Sequence, residues 1–162
     1  MVILGIDPGS TRIGFGIISK DLPAQAGREI KLVDYGVIEY FRKPGTNFSD
    51  LVFEVTKNLN KIIKKYQPEL IGIEKIYFAK NVKTGIEVAQ TRGAIILEIA
   101  KLGIPIKEFG PSEIKSAITG YGLADKKSVS KMVARLLRVE KITGFDDASD
   151  ALAIAMTAAM SD

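Results

Sequence analysis

At 162 residues, with 46% hydrophobic and 26% charged side chains, the chain has the size and balance of one globular domain that buries its own core. It contains no cysteine and no histidine, which excludes disulfides, zinc held by nitrogen and sulfur, and Ser-His or Cys-His catalysis. A formal charge of +4 is too mild to name a partner, so the positions of the basic residues matter more than their sum.

Residues 2–7 (VILGID) are an apolar run that ends on an acid and leads into the turn Pro8-Gly9-Ser10. Residues 12–19 and 30–41 are β-branched and aromatic with partial alternation. Three strands are therefore predicted, paired antiparallel through short links, with 21–29 as a hairpin loop. After a loop over 43–49, Ser49 or Asp50 caps a predicted helix that runs to about Tyr66. Leu51, Val52, Val55, Leu59, Ile62 and Ile63 line one face of it; Lys57, Lys61, Lys64 and Lys65 populate the other. Residues 69–74 (ELIGIE) are a second apolar run ending in an acid. Residues 83–102 predict a long helix, apolar nearly all round from Ile86 to Ile99. Such a helix is buried on both sides, here by the sheet and by a second subunit.

A short strand over 104–109 follows, then a helix from Pro111 to about Thr119, broken by Gly120-Tyr121-Gly122. Asp125 caps a helix to about Val139, and a last helix runs from about Asp146 to Met160. No charge-free apolar run reaches the ~18 residues of a membrane span. The start MVILGIDPGS lacks the basic region and cleavage pattern of a signal peptide. A cytoplasmic protein without membrane contact is expected. The element order predicts an α/β, ribonuclease H-like fold: a five-stranded mixed sheet flanked by helices, as a single domain over 1–162.

Asp7 ends the first predicted strand and Glu74 the fourth. If those strands are parallel neighbours, both acids emerge at one sheet edge, the edge where open α/β sheets bind ligands. Asp147 and Asp150 are three apart at the start of the last helix and share a face, with Asp146 the better candidate for the cap itself. Packed against the strand ends, that helix start gathers four carboxylates. Such a cluster repels itself unless a proton or a cation sits within it, and all-oxygen donors favour magnesium, manganese or calcium. Two such ions can hydrolyse a phosphodiester, one activating water and the other stabilising the leaving oxygen. Each acid alone has a plainer reading: Asp7 as a turn residue, Asp147 and Asp150 as acids at the positive end of a helix dipole. The set, rather than any member, points to a metal site.

The stretch Gly5-Ile6-Asp7-Pro8-Gly9-Ser10 with Gly14-Phe15-Gly16 resembles the opening of the RuvC Holliday-junction resolvases. So do Ile73-Glu74-Lys75 with Ala79-Lys80-Asn81, then Gln90-Thr91-Arg92-Gly93, and last Asp147-Ala148-Ser149-Asp150-Ala151-Leu152-Ala153-Ile154-Ala155, all in the right order. The resemblance implies a crossover junction endodeoxyribonuclease that resolves four-way DNA junctions by paired symmetric nicks in homologous recombination and DNA repair. It implies Asp7, Glu74, Asp147 and Asp150 as catalytic ligands of two Mg2+ ions per subunit, with Mn2+ as a substitute. It also implies a homodimer that works with a RuvA–RuvB branch-migration complex. By position, Lys115 and Lys126 match family lysines near the scissile phosphate. Tyr77 stands where members often carry a phenylalanine that stacks on a junction base.

Lys127, Lys131, Arg135 and Arg138 predict one basic helix stripe opposite Val129, Met132, Val133 and Leu136. Alone it reads as a solvated face; beside an acid cluster it reads as a phosphate track, extended by Lys75, Lys80, Lys83 and Arg92. Tyr77-Phe78 amid lysines fits an aromatic stacking element. Three readings compete. Asp-Pro-Gly-Ser after a strand also suits the phosphate loop of actin-like ATPases and sugar kinases, but those folds need a second such domain. Another ribonuclease H-like nuclease, acting on RNA or RNA–DNA hybrid, shares the fold. A junction-binding protein without catalysis is disfavoured, because clustered acids gain nothing in holding a polyanion.

Overall fold

The computed structural model describes the backbone of residues 1–21, 30–40, 45–77 and 82–161, and their side chains apart from 82–84. The elements are β1 (Val2–Pro8), β2 (Arg12–Lys20), β3 (Ile30–Glu39), α1 (Phe48–Tyr66), β4 (Leu70–Glu74), α2 (Val82–Lys101), β5 (Ile106–Phe109), α3 (Pro111–Thr119), α4 (Lys126–Leu136) and α5 (Asp146–Met160). The sheet order is β3-β2-β1-β4-β5. β2 pairs antiparallel with β1 and β3, whereas β1, β4 and β5 run parallel. This is the expected mixed sheet of the ribonuclease H-like fold.

Both faces of the sheet are covered, so β1 and β4 read as continuous apolar runs rather than alternating ones. On one face, Leu4, Ile6, Ile71 and Ile73 pack against Val55 and Leu59 of α1 and Ile95 and Ile99 of α2. On the other, Ile3 and Ile18 pack with Leu152 of α5, joined by Ile114 and Ile118 of α3 and Val129 and Val133 of α4.

α5 lies unusually close to the strands, and glycine is the reason. A Cβ at Gly5 would stand 2.0 Å from the Ala151 carbonyl, one at Gly14 2.0 Å from the Asp147 carbonyl, and one at Gly16 2.6 Å from the Leu152 nitrogen. The facing helix residues Ala148, Ala151 and Ala155 are small and buried. Helix backbone therefore rests directly on β1 and β2, which fixes the height of the helix start over the sheet edge. Ser149, also buried, is tied to Ser130 of α4 through their hydroxyls at 3.0 Å.

Several boundaries differ from the sequence expectation. The cap of α1 is Asn47, not Ser49 or Asp50; Asp50 instead accepts a bond from the Asn47 amide at 3.3 Å. Phe145 occupies the cap position of α5, and Asp146 is the first helical residue. α4 stops at Leu136 because Leu137 turns into the core and Arg138 adopts φ 56°, so Arg138 leaves the predicted stripe. Asp125 caps α4 as expected, its carboxylate accepting from the Ser128 amide at 2.7 Å. α2 is not buried all round. Thr91, Ile95 and Ile99 face the sheet, while Ile86 and Leu97 stand 49% and 55% exposed along the opposite side. Residues 22–29 and 41–44 of the predicted loops lie outside the described residues. Among the described residues, no helix is long and apolar enough to cross a membrane.

Candidate active site

β1 and β4 are in parallel register up to Ile6 and Ile73. Asp7 and Glu74, the next residue on each strand, therefore leave the sheet at the same edge, close enough for the Glu74 charge to raise the Asp7 carboxyl. The first turns of α5 pass over that edge and add Asp150. The three acids line a cleft of about 260 Å3 together with Lys115 of α3 and Lys126 of α4. Asp147 stands on the side of the β1–β2 turn, 4.0 Å from Arg12 Nε.

Charge makes this edge costly. The Asp7 carboxyl is pushed up to about 8, first by burial and then by the charges of Glu74, Asp150 and Asp147. Glu74 is also raised, mainly by burial and by Asp150, against the pull of Lys126, the Asp7 hydrogen bond and Lys115. Lys126 Nζ donates to Asp150 at 2.8 Å, and that bond holds its ammonium above the ordinary lysine value. At neutral pH the cluster thus keeps a proton on Asp7 and an ammonium on Asp150.

Among the described residues, no three acidic groups are arranged as they stand to enclose a single ion; Lys126 and Arg12 take the outward carboxylates instead. The donor chemistry fits a hard divalent cation all the same. Every candidate ligand is a carboxylate oxygen, and the proton retained on Asp7 marks a shortage of positive charge that such an ion would fill.

The predicted basic residues divide. Lys126, Lys127 and Lys131 line a second cleft of about 340 Å3 beside the acids, with Ser130, Asp146 and Ser149. Tyr77 is 65% exposed and borders a third, of about 320 Å3, with Lys75, Ile76, Ala89, Arg92 and Glu108. Arg92 is turned inward, bonded to the Glu74 carbonyl and to Glu108. Lys80 lies outside the described residues, as does the side chain of Lys83.

Two neighbours of Asp147 carried no signal in the sequence. Arg12 lies over the exposed Phe145 ring, 4.2 Å from its centroid. Tyr40 donates its hydroxyl to the Gly9 carbonyl at 2.5 Å, bracing the turn after Asp7. Burial, then the charges of Glu87 and Asp147, push that phenol up to about 12, so it stays a donor. Only the closing of β3 over the β1–β2 turn brings Tyr40 there.

Residues 3–158 match the sequence model of the family described as Crossover junction endodeoxyribonuclease RuvC. The chain belongs to the RuvC family. A family member from Petrotoga mobilis is 43% identical over 155 residues, covering 96% of this chain and 91% of the relative. One from a Synechococcus species is 41% identical over 160 residues, covering 97% of each. The solved structure of RuvC from Thermus thermophilus superposes with a TM-score of 0.86 at 27% identity, covering 98% of this chain and 93% of that one. The fold is shared also with T. thermophilus RuvC in complex with Holliday junction substrate, at a TM-score of 0.83 and 24% identity, with the same coverage.

Proposed function

We propose that this protein is a Holliday-junction endodeoxyribonuclease that cleaves by metal-assisted phosphodiester hydrolysis, with Asp7, Glu74, Asp147 and Asp150 as the catalytic acids. One observation carries the reading: acids from β1, β4 and α5 meet at a single sheet edge, where burial and then the charges of Glu74, Asp150 and Asp147 push the Asp7 carboxyl up to about 8. The names of the relatives supply the substrate class. The four acids would hold two Mg2+ ions per subunit, or Mn2+ in their place; such ions supply an activated water and a Lewis acid for the leaving oxygen.

The chain's own side chains do the rest. Lys115 and Lys126 bring positive charge into the cleft, against the phosphate. Lys127 and Lys131 continue that charge along the neighbouring cleft and hold the strand by its backbone, without reading its sequence. The exposed Tyr77 ring offers a face on which a junction base stacks. Paired nicks need two sites, and a two-fold dimer matches a nearly two-fold substrate. The open side of α2, with Ile86 and Leu97, is the proposed contact between subunits. The family resemblance supports the further proposal of a role in recombination and repair, in the cytoplasm and beside a RuvA–RuvB branch-migration complex.

Labelled four-way junction, linear duplex, RNA–DNA hybrid and structured RNA, each with magnesium, test this. Paired nicks are expected in the junction alone, abolished by EDTA and by Asp7→Asn, while Asp7→Asn still binds the junction. Equal cutting of linear duplex refutes the junction reading, and full activity in Asp7→Asn refutes the acid assignment. A monomer in sedimentation at micromolar concentration refutes the dimer.

A further inference from the structure

Glu74 ends β4, and its backbone carbonyl has no donor from the sheet. Along β1, Met1 and Lys20 exchange backbone bonds at 3.0 and 2.9 Å. Odd-numbered residues of β1 therefore turn their amides to β2, and even-numbered ones turn theirs to β4. On β4, the Lys75 amide donates to the Phe109 carbonyl at 2.8 Å, so Lys75 faces β5 and Glu74 faces β1. The next β1 amide on that side belongs to residue 8, which is proline and has no N–H to give. The pairing of β1 with β4 stops at Ile6 and Ile73.

Arg92 of α2 fills the gap. Its Nε donates to the Glu74 carbonyl at 2.9 Å, and the same guanidinium pairs with Glu108 of β5. Its side chain is 17% exposed against 45% for Glu108. Arg92 is thus held between the strand ends, with two acceptors fixed by one rigid plane. A lysine ammonium, a single point charge on a flexible stem, cannot reproduce that fork.

We infer that Arg92 is a positioning residue for Glu74, standing in for the ladder donor that Pro8 withholds, and not a DNA contact. It fixes the backbone from which the Glu74 carboxylate enters the acid cleft, and Glu108 fixes Arg92. The same bond joins α2, the proposed subunit contact, to a catalytic strand. This inference rests on the proposed nuclease function and deepens it.

The test compares wild type, Arg92→Lys and Glu108→Ala in three measurements: junction affinity in EDTA, single-turnover junction cleavage with magnesium, and thermal unfolding. Positioning predicts that each variant loses about 10- to 100-fold in cleavage rate, the size seen when an outer partner of a metal ligand is removed. Junction affinity and its salt dependence stay at the wild-type level. A DNA contact predicts the reverse: Arg92→Lys keeps its charge and cleaves normally, and Glu108→Ala frees the guanidinium and binds the junction more tightly. Either of those results overturns the inference. Glu108 is largely at the surface, so Glu108→Ala carries the test if Arg92→Lys lowers the melting temperature. Wild type that leaves the junction uncut removes the proposed function itself; wild-type cutting equalled by both variants removes only the role of Arg92.

Discussion

The two ends of α5 are held by opposite means. At the C-terminal end, Lys20 Nζ donates to the Ala159 carbonyl and Lys107 Nζ to the Ser161 carbonyl at 2.7 Å. Cations there satisfy the last carbonyls and the negative end of the helix dipole. At the N-terminal end the dipole favours acids, but the fold supplies too many. Asp147 and Asp150 of the helix face Asp7 and Glu74 of the sheet, and burial together with these charges raises the Asp7 carboxyl. One end is electrostatically closed and serves stability. The other holds more acids than Lys126 and Arg12 pair with, which is the basis of the proposed metal site.

The largest test of this contrast removes an acid from the crowded end. The folded pKa of Asp7, about 8, lies above its ordinary value of 3.8. Below pH 4 the folded and unfolded chains both hold the proton, and the group contributes nothing. Between pH 4 and 8 only the folded chain holds it, so stability falls as pH rises through that window. Asp7→Asn, with no charge to bury, should therefore melt higher than wild type in EDTA at pH 8, by several degrees, and the gain should vanish towards pH 4. Magnesium should raise the melting temperature of wild type more than that of Asp7→Asn. A pH-independent difference between the two proteins would refute the crowding.

A smaller effect comes from the contact that sets the helix height. Gly14→Ala places a methyl group on the Asp147 carbonyl, and overpacking of this kind costs about 1–3 kcal/mol. Cleavage should fall as well, because the backbone that must move carries Asp147. Normal stability and cleavage together would show that the close helix–sheet contact is dispensable. The smallest effect lies at the closed end. Lys107→Met should cost about 1 kcal/mol in denaturant unfolding and leave junction cleavage unchanged; a loss of cleavage would mean that the two ends are not independent.

Much of this was legible before the fold. Apolar runs ending in acids placed Asp7 and Glu74 at strand ends, and a helical spacing of three made Asp147 and Asp150 a pair. The missing histidine and cysteine already confined any metal to oxygen ligands. The glycines of the opening motif were legible as a pattern only. Their purpose needs the helix that lies on them, over 130 residues later in the chain. The caps of α1 and α5 differ from the expected Ser49 or Asp50 and Asp146, because Asn47 and Phe145 take extended backbone one residue or more before them.

The basic residues show where local reading stops. Charge alone made Arg92 an extension of the helix stripe that holds Lys127 and Lys131. Tertiary structure separated them: β4 and β5 turn Arg92 onto the Glu74 carbonyl and Glu108, whereas α4 leaves Lys127 and Lys131 facing an open cleft. Sequence alone carries which residue types are available, their order, and the periodicity of the strands and helices. Only the tertiary structure decided which charges share a low-dielectric edge, which cation neutralises which acid, and which donor replaces the amide that Pro8 lacks. Those outcomes depend on distances of a few ångströms between residues far apart in the chain, and neither composition nor periodicity encodes them.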